Sequence, residues 1–253
     1  MLYSDIDAIS LAAVNKADIC NNHPVKYFIR SIMAGFYIVV ATILSNVTGA
    51  VFFTTYPQIG RFLSSLLFSI AIVLVVFLGG ELFTGNNMVM AMGVYTGKCK
   101  VSDMIKTWGM SYVGNFAGAF ILSSMLVLSG ASRTILTDYY DSFIYTKLSA
   151  SSMELLLRGI LCNFLVCLAV YTGMKLKSES GKMIIMFCVI TAFVIAGFEH
   201  CVANMGTFTI GYMLLGDIGT FSVIKSQILV TIGNIVGGAL LLSLPLKLMS
   251  DKH

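Results

Sequence analysis

The sequence predicts an all-α integral membrane protein with six transmembrane helices, and three observations support this fold class. Hydrophobic residues make up 57% of the 253 residues, charged residues make up only 11%, and the mean hydropathy is +0.89. A soluble domain carries about 25% charged residues, so this chain lacks the polar side chains that a water-facing surface needs. Long uncharged stretches recur along the chain, and two of them carry matching motifs.

Four stretches are predicted to cross the bilayer as single straight helices. A spanning helix needs about 20 consecutive, mostly apolar residues. The stretches that meet this requirement are residues 31–60, 107–132, 155–171 and 226–246. Arg158 lies near one end of its stretch, where a long side chain can extend to the interface.

Two further stretches are too long for one straight helix. Residues 62–97 contain Glu81 as their only charge, and residues 183–216 contain Glu199 as theirs. The first of these would extend about 54 Å as a helix, whereas the hydrocarbon core of a bilayer is about 30 Å thick. Each stretch is also too short for two full helices and a turn. We therefore predict that spans two and five are broken, near Glu81–Asn87 and near Glu199–Met205.

The two halves of the chain carry the same motifs in nearly constant register. Each half has a glutamate followed five residues later by an asparagine, and then a Gly-Asn-x-x-Gly motif, at offsets of 118 and 119 residues. The matching positions are Glu81 and Asn86 with Glu199 and Asn204, and residues 114–118 with residues 233–237. Small residues at this spacing allow close helix packing, and Asn115 and Asn234 are expected to form hydrogen bonds between helices.

This register predicts an inverted repeat. Spans one to three (about 27–130) recur as spans four to six (about 154–248), and because three is odd the two repeats face opposite sides of the membrane. Inverted repeats with broken helices build solute sites near the middle of the bilayer. We therefore assign residues 27–253 to one six-helix channel domain.

Residues 1–26 are predicted to form a short amphipathic helix on the cytoplasmic membrane surface. Ser4-Asp5-Ile6-Asp7 matches a capping box at a helix start. Apolar residues then recur at helical spacing, at Ile6, Ile9, Ala13 and Ala17. With six spans, eleven of the sixteen Lys and Arg residues fall on the side of the termini. The positive-inside rule thus places both termini in the cytoplasm, for a multi-pass protein of the cell (inner/cytoplasmic) membrane.

Several other function classes are not supported by the sequence. It contains no phosphate-loop, zinc-protease or serine-hydrolase motif, so we predict neither an enzyme nor a cofactor. The Lys and Arg residues form no nucleic-acid patch. The six cysteines form no C-x-x-C pair and are expected to be free thiols. The alternative function is a neutral-solute channel of the water or glycerol type, whose paired Asn-Pro-Ala signature this sequence lacks.

Three motifs resemble those of the formate/nitrite transporter family. The string Glu-Leu-Phe-Thr-Gly-Asn at 81–86 resembles the second-span motif of the family. Phe193, together with Glu-His-Cys-Val-Ala-Asn-Met at 199–205, is similar to the fifth-span motif, and residues 158–166 are similar to the opening of the fourth span. The motifs agree in order and spacing over nearly the whole chain. Within the family, the sequence looks most like the hydrosulfide-channel branch.

The resemblance implies a homopentamer in the lipid bilayer, with an aquaporin-like protomer fold and one pore in each protomer. The implied solutes are small monovalent anions of weak acids, with hydrosulfide favoured and formate or nitrite possible. No cofactor is implied. By position, the resemblance places His200 and Thr84 in a central chamber, Leu82 and Phe193 at one constriction, Phe68 at the other, and Lys147 and Asn163 in a vestibule.

The residues themselves leave alternatives open at several of these positions. Intramembrane ionisable residues usually mark a pathway, and imidazole exchanges a proton near neutral pH, so we favour a pathway role for His200 over packing. Glu81 and Glu199 could bind a cation or relay protons. We favour a structural role, in which they accept hydrogen bonds from backbone N–H groups freed at the breaks, alongside the asparagines that follow them. Without the resemblance, Phe68 and Lys147 would be an ordinary core residue and a solvated loop charge.

Overall fold

The computed structural model describes residues 2–250, and the regular secondary structure in that range is entirely helical. The elements are α1 (Leu2–Asn22), α2 (Pro24–Phe52), α3 (Pro57–Phe68), α4 (Ile70–Phe77), α5 (Phe83–Tyr95), α6 (Val101–Ser129), α7 (Arg133–Leu148), α8 (Ser152–Lys175), α9 (Glu179–Ile195), α10 (Cys201–Leu215), α11 (Thr220–Ile235), a π-helical segment (Val236–Ser243) and α12 (Leu244–Ser250).

Five helical stretches between residues 2 and 250 are long and apolar enough to cross a membrane. They are α2, α3 with α4, α6, α8, and α11 continuing through α12. The predicted fifth span is divided between α9 and α10, which have 17 and 15 residues. The chain is therefore an all-helical, multi-pass membrane protein.

Helical geometry is interrupted between α4 and α5 and again between α9 and α10. Each gap contains a glycine with left-handed backbone geometry, Gly79 with φ 70° and Gly197 with φ 78°. Glycine adopts this conformation without the steric clash that a Cβ atom would cause, and it commonly ends a helix. The interruptions comprise residues 78–82 and 196–200, so each overlaps the start of its predicted range, at Glu81 and at Glu199. The glycines end the first helix of each pair, and the second has already begun at Phe83 or Cys201.

The Gly-Asn-x-x-Gly motifs lie where pairs of long helices approach closely. A Cβ atom on Gly118 of α6 would lie only 3.2 Å from the Cα atom of Gly35 of α2, so these two helices are in close contact here. A Cβ atom on Gly233 of α11 would lie 3.0 Å from the Cα atom of Gly159 of α8, so α11 and α8 are in equally close contact. Both glycines therefore serve close packing of backbones, in agreement with the small-residue pattern of helix pairs in membranes.

The apolar face of α1 packs against the protein rather than against lipid. Its predicted stripe is buried, at Ile6, Ile9, Ala13 and Ala17. The stripe belongs to one apolar cluster with α5, α8 and α12. In addition, α1 begins at Leu2, so Ser4 lies inside the helix and not at its N-cap. The amphipathic pattern of residues 1–26 thus reflects contact with the helical bundle, because the chain's own helices cover the face that we expected to meet headgroups.

Polar contacts fix both ends of α1 to the bundle. Near its start, the Asp5 carboxylate accepts hydrogen bonds from the Tyr171 hydroxyl at 3.0 Å and from the Lys175 ammonium at 2.8 Å. Lys175 is the main reason why the pKa of Asp5 is lowered. Near its end, the Asn21 amide donates to Asp103 at 3.0 Å and accepts from Lys106 at 2.8 Å.

Candidate functional site

A cavity of about 540 Å³ lies between α2, α3 and the helices α7 to α10. Three cations line it, Arg61, Lys147 and Arg158, together with a single carboxylate, Glu199. The lining reaches His200, which is 4% exposed. An excess of positive charge around a concave surface raises the local concentration of anions.

His200 contacts Thr84 across the interruptions of the two broken helices. The His200 Nε2 atom lies 3.0 Å from the Thr84 hydroxyl oxygen, and both residues are buried. The Nδ1 atom of His200 accepts a hydrogen bond from the Ala203 N–H at 3.2 Å. In this network, the Nδ1 atom is an acceptor, so the proton of the neutral ring lies on Nε2, which donates to Thr84. The Thr84 hydroxyl is then free to donate its own proton to a solute.

An aromatic pair lies beside the histidine. The rings of Phe68 and Phe193 meet edge to face with centroids 6.0 Å apart, and Phe193 stacks on the His200 ring at 6.3 Å. Both phenylalanines line the cavity, whereas Leu82, although buried, does not. The structure therefore pairs Phe193 with Phe68, where the family resemblance groups Phe193 with Leu82. The α3 and α9 helices, which carry these two rings, pack directly against each other.

The two membrane carboxylates form equivalent networks in the two halves. Each glutamate accepts a hydrogen bond from the asparagine five residues later and forms an ion pair with a lysine of an amphipathic helix. The contacts are Glu81 with Asn86 at 3.2 Å and with Lys16 of α1 at 2.6 Å, and Glu199 with Asn204 at 2.9 Å and with Lys147 of α7 at 2.5 Å. The carboxylates thus hold side chains. The expectation that they bind backbone N–H groups freed at the breaks is wrong for both.

The asparagines of the Gly-Asn-x-x-Gly motifs bind the interrupted backbone instead. The Asn115 side chain accepts from the Phe83 N–H at 2.9 Å and donates to the Glu81 carbonyl at 3.0 Å. The Asn234 side chain accepts from the Cys201 N–H at 2.9 Å and donates to the Glu199 carbonyl at 3.0 Å. An amide side chain suits this role because it carries a donor and an acceptor side by side. In lipid, such backbone groups must be satisfied within the protein.

Asn163 does not lie in the vestibule that Lys147 lines. It is fully buried, and its side-chain nitrogen donates to the main-chain carbonyls of Thr84 and Asn234 and to the side-chain oxygen of Asn87, at distances of 3.1, 2.6 and 3.0 Å. It therefore braces the first turn of α5 against α8 and α11. Through its bond to the Thr84 carbonyl, Asn163 contributes to the position of Thr84.

Sequence reasoning missed Lys16 and the helix that carries Lys147. Lys16 comes seven residues after Ile9, on the apolar stripe of α1, and Lys147 comes seven residues after the buried Tyr140 on α7. A lysine on the apolar face of an amphipathic helix is a signal that it meets a buried carboxylate. That signal was present in the sequence and would have extended the internal match to α1 and α7.

These features define a class of protein. A bundle of membrane helices, interrupted at two equivalent places, carries a cation-lined cavity that reaches a buried histidine, which is the architecture of a membrane channel or transporter. The family model described as "Formate/nitrite transporter" matches residues 4–248, and the chain belongs to the formate/nitrite transporter family.

Individual relatives agree with this assignment. The chain is 30% identical to the nitrite transporter NirC of Escherichia coli (strain K12), over 94% of this chain and 90% of the relative. Among solved structures, one described as an FNT family ion channel matches with a TM-score of 0.91 at 26% identity, covering 98% of this chain and 99% of the other. A pentameric formate channel with formate bound matches with a TM-score of 0.76 at 26% identity, covering 90% and 98%.

Proposed function

We propose that this protein conducts small monovalent anions of weak acids through a pore in each protomer. The observation that carries the proposal is the contact between Thr84 and His200, buried beside the cation-lined cavity at the junction of the two broken helices. Formate, nitrite and hydrosulfide fit this chemistry. Hydrosulfide is our favoured solute because the motifs look most like those of the hydrosulfide-channel branch.

An anion would first be concentrated in the cavity lined by Arg61, Lys147 and Arg158, which we call the vestibule. It must then leave water to pass the apolar pair Phe68 and Phe193, and removing an ion from water costs several kcal/mol even after the protein relaxes. The Thr84 hydroxyl offsets part of this cost by donating a hydrogen bond, with His200 holding the Thr84 oxygen in place. The N–H groups of Thr84 and Gly85, at the start of α5, have no partner among residues 2–250 and can donate as well.

Two modes of passage use this same site. In the first, the anion crosses with partial solvation from these donors and carries net current. In the second, the anion takes a proton, from His200 directly or through water, and crosses as the neutral weak acid. The second mode predicts transport that rises as the pH falls and moves protons with the solute. Neither mode requires a cofactor.

The same proposal includes the arrangement in the membrane. Six spans, with α3 to α5 forming the second and α9 and α10 the fifth, would place the two halves as inverted repeats around the pore. The positive-inside rule then puts α1 and both termini in the cytoplasm of an inner-membrane protein. The pentameric state of a solved relative supports a homopentamer.

A neutral-solute pore is the less favoured function. Three cations and one carboxylate line the cavity, and this excess of positive charge concentrates anions but gives no such advantage to a neutral solute. Two of the similar proteins named above are a nitrite transporter and a formate channel.

Uptake by reconstituted vesicles tests the proposal. Hydrosulfide, formate and nitrite are offered in turn at several pH values, with glycerol as the neutral comparison, while solute uptake, membrane current and proton movement are recorded. We expect uptake of at least one of the three anions above that of empty vesicles, and none of glycerol. Glycerol uptake without anion uptake would overturn the proposal.

A further inference from the structure

The vestibule is much larger than the anions that the pore is proposed to conduct. Its volume of about 540 Å³ lies in the range of 300–1,000 Å³ that is typical of sites for drug-sized molecules. Formate, nitrite and hydrosulfide contain one to three non-hydrogen atoms. The vestibule thus has room, and lining, that these solutes do not use.

Aromatic rings supply much of that lining. Phe53 at the end of α2 meets Tyr139 of α7 edge to face at 5.5 Å, and Tyr139 stacks on Phe143 at 5.1 Å. All three rings line the cavity and keep part of their surface exposed. An aromatic ligand gains both apolar burial and edge-to-face contacts from such a cluster.

A positive charge without a carboxylate partner lies in the same cavity. Arg61 donates a hydrogen bond to the Ile195 carbonyl at 2.7 Å and forms no ion pair with any residue from 2 to 250. Lys147 is neutralised by Glu199 at 2.5 Å, and Arg158 is paired with Glu154 at 3.2 Å. The guanidinium of Arg61 therefore remains available to a carboxylate.

We propose that this vestibule binds an aromatic monocarboxylate, with the ring against Phe53, Tyr139 and Phe143 and the carboxylate on Arg61. We expect such a ligand to be too wide to follow a small anion past the rings of Phe68 and Phe193, which line the cavity and pack edge to face with centroids 6.0 Å apart. It would therefore block transport. The blocking part rests on the proposed function, whereas the binding part does not.

Calorimetry on the protein in lipid nanodiscs tests binding directly, with benzoate as the probe. Benzamide carries the ring without the charge, and acetate carries the charge without the ring. We expect benzoate to bind at least tenfold more tightly than either. Phe143→Ala and Arg61→Gln should each weaken benzoate binding by about fivefold. Phe116→Ala is the matched control, because Phe116 is an exposed ring on α6 outside the cavity and its removal should change nothing.

Two results would overturn the inference. One is benzoate binding no tighter than acetate. The other is unchanged benzoate affinity in Phe143→Ala, with Phe53→Ala as the second test should the first variant fail to fold. Anion uptake is then measured with saturating benzoate. Uptake that persists undiminished overturns the block, whereas absence of uptake without benzoate contradicts the proposed function and leaves the binding result standing on its own.

Discussion

Thr84 and His200 are 116 positions apart in the chain, and each lies beside one of the two helix interruptions. Their contact therefore depends on both interruptions. Thr84 is the second residue of α5 and His200 is the N-cap residue of α10, so both lie where a helix begins after an interruption. A hydroxyl or an imidazole on its own is a common hydrogen-bonding group and does not define a site. Their value as a site comes from burial, because hydrogen bonds strengthen when water is excluded.

Replacing Thr84 by Val should reduce anion flux without unfolding the protein. The change keeps the branched shape and removes a hydrogen bond to a charged solute, which is worth about 1.5–3 kcal/mol, or roughly 10- to 100-fold in rate. Flux is measured in vesicles as the initial rate of uptake. Thr209→Val is the matched control, because that hydroxyl bonds only the Met205 carbonyl of its own helix.

Replacing His200 by Phe tests the partner. We expect lower flux and an altered pH profile, since Phe cannot hold the Thr84 hydroxyl or exchange a proton. Uptake of every candidate anion at the wild-type rate, with the wild-type pH profile, would show that His200 is a packing residue and that the proposed mechanism is wrong.

Because Lys147 and Glu199 form a buried ion pair, we expect removal of the lysine alone to destabilise the protein more than removal of both charges. Their side chains are 12% and 6% exposed, so Lys147→Met leaves a buried carboxylate without its cation. The expected loss is about 3–5 kcal/mol of the free energy of unfolding. Adding Glu199→Gln to that variant should recover part of it, because the unpaired charge is removed.

Unfolding in mixed micelles measures these losses. The pair Lys98–Asp7 is the control, with side chains 35% and 52% exposed. Exposed pairs contribute about 0–1 kcal/mol, so Lys98→Met should cost far less than Lys147→Met. Equal losses at the two sites would contradict the assignment of Lys147 as a buried partner.

At the scale of the element, each interrupted helix depends on an asparagine from a different helix. Asn115 and Asn234 are fully buried, and each binds the carbonyl before and the N–H group after the last residue of its break, Leu82 or His200. The breaks are thus held by helices α6 and α11. The glutamates hold the amphipathic helices α1 and α7 in place instead.

Asn115→Ala and Asn234→Ala should each destabilise the protein by about 3 kcal/mol or more. Each change removes several hydrogen bonds, and each buried group left without a partner costs about 1–3 kcal/mol. Thermal unfolding of the detergent-solubilised protein is the measurement, with the exposed Asn22→Ala as control. A melting temperature within error of wild type for both variants would show that the backbone finds other partners.

The docking of α1 should depend on pH through Asp5. Its pKa is lowered in the folded state by the Lys175 hydrogen bond, from an ordinary value of 3.8. A depressed carboxyl pKa stabilises the folded state above the ordinary value, and that contribution is lost as the pH falls through the folded value. Hydrogen exchange of the α1 amides, corrected for intrinsic rates, should therefore accelerate as the pH drops below about 4.

The Asp5→Asn variant separates this effect from general acid unfolding. The variant should exchange faster at neutral pH and lose the acid-dependent step in α1. If its exchange matches that of wild type at every pH, Asp5 does not hold the helix.

At the scale of the whole molecule, the chain exposes many large apolar side chains on helices that the membrane or other copies must cover. Examples are Phe116, Leu128, Ile224 and Leu248. Lipid suits such surfaces, and so does a second copy of the same chain. In the homopentamer proposed above, neighbouring copies cover part of this surface and lipid covers the rest.

We expect a particle of five chains. Native mass spectrometry of the detergent-solubilised protein should give about five times the chain mass of 27.4 kDa, with lipid and detergent removed in the gas phase. A monomer or a tetramer as the dominant species would refute the homopentamer. The result does not depend on which anion is conducted.

Several features were determined by the sequence alone. The small number of charged residues and the high mean hydropathy predicted a membrane protein. Two apolar stretches longer than one span predicted helix interruptions near Glu81 and Glu199. The matched Glu and Gly-Asn-x-x-Gly motifs placed equivalent structures in the two halves. These features follow from the bilayer's thickness and its lack of hydrogen-bonding partners, which act on every residue of a span and so leave a pattern that can be read along the chain.

Only the tertiary structure decided which groups meet. The glutamates bind lysines and not backbone N–H groups, and Asn115 and Asn234 bind the interrupted backbone. Asn163 lies outside the vestibule, and the apolar face of α1 packs against protein and not against lipid. Hydrogen bonds and ion pairs act over about 3 Å between side chains that can be a hundred residues apart. Periodicity along the chain records that a side chain is buried, but the partner it meets is set by how the helices pack.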